Sequence, residues 1–307
     1  MKLTHVKTEY KNGTLSKPDY IDQMHDLHKV LFEYASFLSG TDIRHIEISD
    51  DSVIMTSRAA GIKLVCDKDD KRIIPIEILN FDFYEKENIE MVLDLIQDGM
   101  NVFDIGANIG WYSLNVAKAR MDVKLFAFEP IPKTFQYLQK NLALNNARNV
   151  QVFNFGFSNE EKDVTFFYTP EGSGNTSLAN LSGSPAVEKI HSKVKKMDQF
   201  TAEHQVRVDF IKCDVEGAEL FVYLGGIDTL KRDKPIIFTE MLRKWSAKFN
   251  YHPNEIIELI KKHDYRCFVV KGRSLMEFYT MDENTEETNF FFLHSAKHAH
   301  IISGLAK

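Results

Sequence analysis

The chain has 307 residues, 44% of them apolar, enough to close a full core in one large or two modest domains. Its 38 basic and 44 acidic side chains leave a formal net charge of −6 with no long basic run, so the electrostatic footprint of a nucleic-acid binder is missing. No stretch approaches the roughly 20 apolar residues of a membrane span; the three cysteines, Cys66, Cys213 and Cys267, sit in apolar runs without framework spacing, which implies buried thiols in a reducing compartment and a cytoplasmic protein.

Ile21, Met24, Leu27, Leu31, Tyr34, Ala35 and Leu38 recur at three- and four-residue steps between a capping signal at Ser16 and a stop at Gly40, predicting an amphipathic helix over 16–39. Over 44–80 the pattern alternates, as in Ile46-Glu-Ile48, and acidic turns at Asp50-Asp51 and Asp67 to Asp70 suggest a small antiparallel β element. Residues 1–80 are read as an N-terminal extension. It is a candidate homodimer surface or substrate cover, weighed against a flank that packs its helical stripe on the core, and the flank is slightly preferred.

From residue 81 to 307 helices and strands alternate as in a single domain. Helix 87–98 leads to strand 101–106, helix 110–120, strand 123–129, helix 132–146 and strand 150–155. An extra strand follows at 164–168, then a Gly-, Ser- and Asn-rich loop over 170–185 whose length suits a lid. The basic cluster Lys189 to Lys196 reads as a solvated edge. Strand 208–213, helix 217–231 and strand 235–240 resume the winding; helix 253–263 and strands at 265–270, 276–280 and 289–293 end it. Such alternation implies an α/β fold, a doubly wound and mostly parallel sheet of Rossmann-like type, with ligands at the carboxyl ends of its strands.

That edge holds the candidate site. Strand 101–106 stops at a turn containing Gly106, Ala107, Asn108 and Gly110 and restarts as a helix, whose first N–H groups and positive dipole end suit a ligand. Glu129 closes the next strand, where a carboxylate can accept two hydrogen bonds from a ribose diol. Asp214 and Glu216 fall where strand 208–213 gives way to its helix. They are the candidates for acceptor contact and proton removal, against the alternative that they cap that helix. Glu219, one turn further, reads as a surface or packing carboxylate. Glu240 could complete an oxygen-rich set with Asp214 and Glu216 for Mg²⁺, but the spacing carries no metal signature and a plain polar site is favoured. His252 reads as a turn residue, and His294, His298 and His300 as a solvated tail.

Four ordered blocks carry a family resemblance. The glycine turn is similar to the D-x-G-x-x-x-G turn of class I S-adenosylmethionine (SAM) methyltransferases; Phe126-Ala-Phe-Glu-Pro-Ile-Pro with Asn141-Leu-Ala-Leu-Asn, the pair Met197-Asp198, and Asp209-Phe-Ile-Lys-Cys-Asp-Val-Glu-Gly-Ala-Glu-Leu together resemble the FkbM methyltransferases. The match covers roughly residues 101 to 240. It departs where Met197 replaces a usual leucine and Cys213 a frequent isoleucine. The resemblance implies SAM-dependent methyl transfer, usually to a hydroxyl of a sugar, a glycan or a sugar-bearing natural product. It further implies that Asp104 lies near the methionine amino group, Asn108 near its carboxylate, and Phe157 and Ser158 near adenine, while Asp198 braces the substrate loop. Two other classes share the glycine turn and Glu129: a catalytically silent SAM-binding or scaffold module, and a nicotinamide dehydrogenase, for which the third glycine and an evident hydride-site set are lacking.

Overall fold

The computed structural model describes residues 2–172, 174, 176–180 and 187–306. Three helices open the chain: α1 (Lys2–Lys11), α2 (Lys17–His28) and α3 (Val30–Phe37). Ser16 caps α2 by accepting the Asp19 N–H at 3.3 Å, as the sequence signal requires. Between α2 and α3 the backbone of Lys29 stays helical, with φ −50° and ψ −37°, so the expected single helix is broken only in its hydrogen bonding. Its stripe is not buried. Neither α2 nor α3 has a buried residue; Ile21, Leu31 and Phe32 are 54%, 53% and 73% exposed, and only the Tyr34–Leu38 end touches the core.

An antiparallel sheet follows in the order β1 (Ile43–Ile48), β2 (Val53–Ser57), β3 (Lys63–Val65), as the alternation implied, and then helix α4 (Ile74–Phe81), which the pattern did not announce. The rest begins with α5 (Lys86–Leu95), β4 (Asn101–Ile105), α6 (Trp111–Ala119), β5 (Lys124–Phe128), α7 (Pro132–Leu144) and β6 (Val150–Phe153). A side sheet of β7 (Gly156–Phe157), β8 (Lys162–Tyr168) and β9 (Glu188–Lys195) comes next; β9 contains the basic cluster, its lysines mostly on the solvent side. Helix α8 (Met197–Glu203) precedes β10 (Phe210–Cys213), α9 (Glu219–Leu224), α10 (Ile227–Asp233) and β11 (Ile236–Glu240). The chain ends with α11 (Arg243–Ser246), α12 (Asn254–Lys261), β12 (Tyr265–Lys271), β13 (Ser274–Phe278), β14 (Asn289–His294) and α13 (Ala299–Leu305).

Among the described residues the central sheet has eight strands in the order β13-β12-β14-β11-β10-β4-β5-β6. Strands β11, β10, β4, β5 and β6 are mutually parallel, and β14, β12 and β13 add an antiparallel end. This is the α/β, doubly wound architecture expected. Alternate residues feed its two faces: Val102, Leu125 and Phe210 enter one apolar cluster, Phe103, Phe126 and Ile211 the other. The winding reverses between β4 and β10, so the crevice for a ligand opens at their carboxyl ends.

The expected helix 217–231 is split at Gly225-Gly226. A Cβ on Gly225 would lie 2.1 Å from the Ser158 carbonyl oxygen, so the chain crosses β7 too closely for a continuous helix. Asp198, within α8, accepts the Asp228 and Thr229 N–H groups at 3.1 and 2.7 Å and caps the second piece, a different task from bracing a loop. The first apolar cluster also takes in Ile43, Met55, Ile62 and Leu64 from residues 1–80. Asn141 of α7 and Asn145, which follows its last turn, bind β3: Asn141 accepts the Val65 N–H at 2.9 Å while donating to the Ile109 carbonyl at 2.8 Å, and Asn145 accepts from and donates to Lys63 at 2.9 and 2.7 Å.

Part of the expected lid, namely Ser173, Asn175 and residues 181–185, lies outside the described residues. Its described part is tied down: Phe167 donates its N–H to the Ser177 carbonyl at 2.8 Å, and the Ser177 hydroxyl donates to the Glu216 carbonyl at 2.7 Å. Among the described residues no helix is long and apolar enough to cross a membrane. Cys213 and Cys267 are buried free thiols, whereas Cys66 is only half-buried. His294 and His298 are no solvated tail: both are buried, and His298 Nδ1 accepts the His294 N–H at 3.0 Å.

Candidate active site

Gly106 takes φ +75° because the turn must pass the end of β10: a Cβ there would sit 1.8 Å from the Asp214 carbonyl oxygen. Four N–H groups of the turn are already committed. Gly106 and Ala107 donate to the Phe128 carbonyl at 3.0 and 2.9 Å, Gly110 donates to Ala107 at 2.9 Å, and Asn108 donates to Glu129 Oε2 at 3.0 Å. The turn is therefore a rigid wall more than an open cradle of donors. Glu129 also accepts the Ile131 N–H on Oε1 at 2.8 Å, so each carboxylate oxygen is fixed by one backbone group and keeps a second lone pair. Burial pushes its carboxyl up to about 7, against the pull of those two N–H groups.

Gly106, Asn108, Glu129, Phe157, Asp214 and Glu216 line one open cleft. Asp104, Ala107, Gly110 and Ser158 lie outside that lining. Asp104 is buried behind the turn, its Oδ2 accepting the Ser113 N–H and hydroxyl at 3.1 and 2.6 Å, which fixes the first turn of α6. Phe157 packs in an aromatic cluster, 4.5 Å from the Phe128 ring, and Ser158 donates its N–H to Lys195 and its hydroxyl to Asn159.

Asp214 and Glu216 do not cap α9. No side chain caps that helix; Glu219, its first residue and 1% exposed, instead accepts the Val215 and Gly217 N–H groups of the preceding loop on Oε1 at 3.0 and 3.1 Å, and the Tyr251 hydroxyl donates to the Gly217 carbonyl at 2.8 Å. The expected surface or packing carboxylate is thus the pin of the loop after β10, and burial raises its carboxyl to about 7. Asp214 Oδ1 and Glu216 Oε2 are enclosed without a hydrogen-bond partner. Glu216 itself adopts φ +55°, a left-handed angle costly for a side chain, which the neighbouring Gly217 and the Ser177 bond hold in place.

Asp214, Glu216 and Glu240 each present a carboxylate oxygen within 4.8 Å of the others, a set that could hold a hard divalent cation. Burial first, then the Asp214 charge, raises the carboxyls of Glu216 and Glu240 well above the usual carboxylate range. Two contributors escaped the sequence reading. Lys212 on β10 is 5% exposed, and its ammonium donates to the Gly106 carbonyl at 2.7 Å and lies 3.4 Å from Asp104 Oδ1 and 3.7 Å from Asp214 Oδ2. Burial alone would lower its pKa; the two aspartates overcome that and raise it. Glu85, just before α5, accepts from the Tyr112 hydroxyl, and burial with the nearby Asp214 charge raises its carboxyl. A lysine inside the apolar run Phe210-Ile-Lys-Cys was the available signal for the first; nothing in the sequence marked the second.

The chain matches the family model described as Methyltransferase FkbM domain over residues 104–267. It is similar to Methyltransferase 1 of Beauveria bassiana, with 31% identity over 50% of this chain and 70% of that protein. It also resembles hexuronic acid methyltransferase AglP of Haloferax volcanii (28% identity, 48% of this chain and 58% of that protein) and 2-O-methyltransferase NoeI of Sinorhizobium fredii (27%, 45% and 62%). The chain thus spans less than two thirds of the length of the latter two relatives.

Proposed function

From the membership of this chain in the FkbM methyltransferase family we propose that it transfers the methyl group of SAM to a hydroxyl of a sugar, a glycan or a sugar-bearing natural product. The observation that carries this reading is that Asp214 and Glu216, neither of them a helix cap, line the same cleft as Asn108 and Glu129. In it, Glu129 accepts both ribose hydroxyls with its spare lone pairs, Asn108 meets the methionine carboxylate, and Phe157 with Ser158 borders adenine. Asp104 serves the cofactor by fixing the turn through Ser113 and Lys212, together with Gly106, Ala107 and Gly110. The two relatives whose names specify a hexuronic acid and a 2-O position support a sugar hydroxyl as acceptor.

The acceptor oxygen attacks the methyl carbon in line with the departing sulfur, whose C–S electron pair returns to sulfur as S-adenosylhomocysteine forms. Glu216, with Asp214 beside it, takes the hydroxyl proton. A carboxyl raised by burial binds a proton more readily near neutral pH than an ordinary one, which suits a general base. Alignment of donor and acceptor can supply up to about 7–11 kcal/mol in favourable intramolecular cases, and the rigid turn and pinned loop provide it here. Mg²⁺ stays the less favoured reading, since the Lys212 ammonium already offers Asp214 a positive charge. The free thiols support a cytoplasmic setting, and the exposed stripe of α2 and α3 supports a homodimer through residues 1–80.

The test incubates the protein with methyl-tritiated SAM and a panel of hexuronic acids, neutral sugars and glycan fragments, with mass spectrometry of the products. Methyl ether formation on a carbohydrate is expected. Tight SAM binding with no transfer to any hydroxyl would instead favour a silent SAM-binding module.

A further inference from the structure

The loops after β4 and β10 press against each other: the Ile105 carbonyl accepts the Asp214 N–H at 3.1 Å, and Gly106 touches the Asp214 carbonyl closely enough to exclude a Cβ. Lys212 bridges that seam from within. Its register partner on β4 is Asp104, so its stem runs between the two strands and delivers the ammonium to the Gly106 carbonyl, to Asp104 and to Asp214 together. The Tyr112 ring lies 5.6 Å from the ammonium, an additional stabilising face. A buried lysine persists only where such partners repay its desolvation, and all three of these lie at the junction of the proposed cofactor and acceptor sides.

Resting on the SAM-dependent reading, we propose that Lys212 is the positioning residue of this site. Its ammonium locks the cofactor turn to the acceptor-side loop, and its charge offsets those of Asp104 and Asp214, setting how strongly the cleft favours a sulfonium cofactor over the neutral thioether product. The lock acts on both ligands alike, as does the charge on the amino-acid end they share; the ratio of the two affinities reads the charge at the sulfur, which is positive only in SAM.

The experiment measures affinity for SAM and for S-adenosylhomocysteine by calorimetry in the wild type, K212M and K212R, with circular dichroism as the check of folding. K212M should weaken both ligands by about tenfold or more through loss of the turn's charge-assisted donor. With one positive charge gone, it should also shift the ratio of the two dissociation constants severalfold towards SAM. K212R, which keeps the charge, should leave that ratio unchanged while weakening both ligands through its different shape. Folded K212M with wild-type affinities, or with both ligands weakened and the ratio unmoved, overturns the proposal; the latter is what a merely structural lysine would give. Should K212M not fold, K212R decides: an altered ratio or wild-type affinities overturn it. Failure of the wild type to bind SAM would instead strike the cofactor reading, and this proposal with it.

Discussion

Glu129 gives the sharpest quantitative test because its two expected roles respond to pH in opposite directions. Its carboxyl stands at about 7 in the folded, unliganded protein against an ordinary 4.5. Folding therefore favours the neutral form: the stability this group contributes is fully present below about 4.5 and is lost as pH rises through 7. SAM binding should run the other way, since only the ionised carboxylate can accept both ribose hydroxyls while keeping the Asn108 and Ile131 N–H groups. One unit below 7 the carboxylate must be ionised at a cost of about 1.4 kcal/mol, so SAM affinity should drop roughly tenfold between pH 8 and pH 6. E129Q preserves shape but has one carbonyl oxygen for these donors and turns an amide N–H towards another. Losing a charge-assisted bond at about 1.5–3 kcal/mol, it should bind SAM roughly ten- to hundredfold more weakly at pH 8 and lose the pH dependence. Calorimetry of both proteins across pH 6 to 8.5 isolates the group, because ionisations of the ligand and of other side chains are common to both. A folded E129Q with wild-type affinity, or two parallel pH curves, would refute the assignment.

D214N should retain SAM affinity within a fewfold while turnover on the acceptor found by the panel falls about 10²-fold or more; equal losses in both would make Asp214 a cofactor residue. G106A should lose more than about 3 kcal/mol from its left-handed φ and its 1.8 Å approach to the Asp214 carbonyl, seen as a melting temperature lower by about 6 °C or more, and an unchanged melt would show that the two loops can part. If α2 and α3 pair with a second copy, L31E together with F32E should convert a dimer to a monomer in light scattering without changing the melt; a wild type already monomeric at micromolar concentration removes that interface.

The sheet was legible because its strands are buried on both faces and read as continuous apolar runs, and because Gly106 and Gly110 punctuate them. The positions of Glu129, Asp214 and Glu216 followed from strand ends alone. What did not follow was which carboxylate does the local work. Glu219 looks like a helix residue at a distance of one turn, but the left-handed angles at Glu216 and Gly217 fold the loop back so that its carboxylate meets the N–H groups ahead of it. Lys212 was hidden for the opposite reason: a single lysine in an apolar strand carries no periodic signal, and its partners, Asp104 and the Gly106 carbonyl, are about a hundred residues away in sequence. The stripe of α2 misled because periodicity reports an apolar face but not what covers it.

The amide groups of Asn141 and Asn145 have a consequence for anyone dissecting the chain. Asn141 reads two backbones at once, the Val65 N–H of β3 and the Ile109 carbonyl of the glycine turn, so the N-terminal sheet and the turn share a fastener. Cutting at residue 81 would leave that amide oxygen without its donor on a fully buried side chain and strip Ile43, Ile62 and Leu64 from the apolar cluster that backs α6 and α7. Residues 1–80 are in this sense scaffolding for a turn they never contribute a residue to, and an isolated 81–307 fragment should be judged by whether Gly106 to Gly110 still hold their shape.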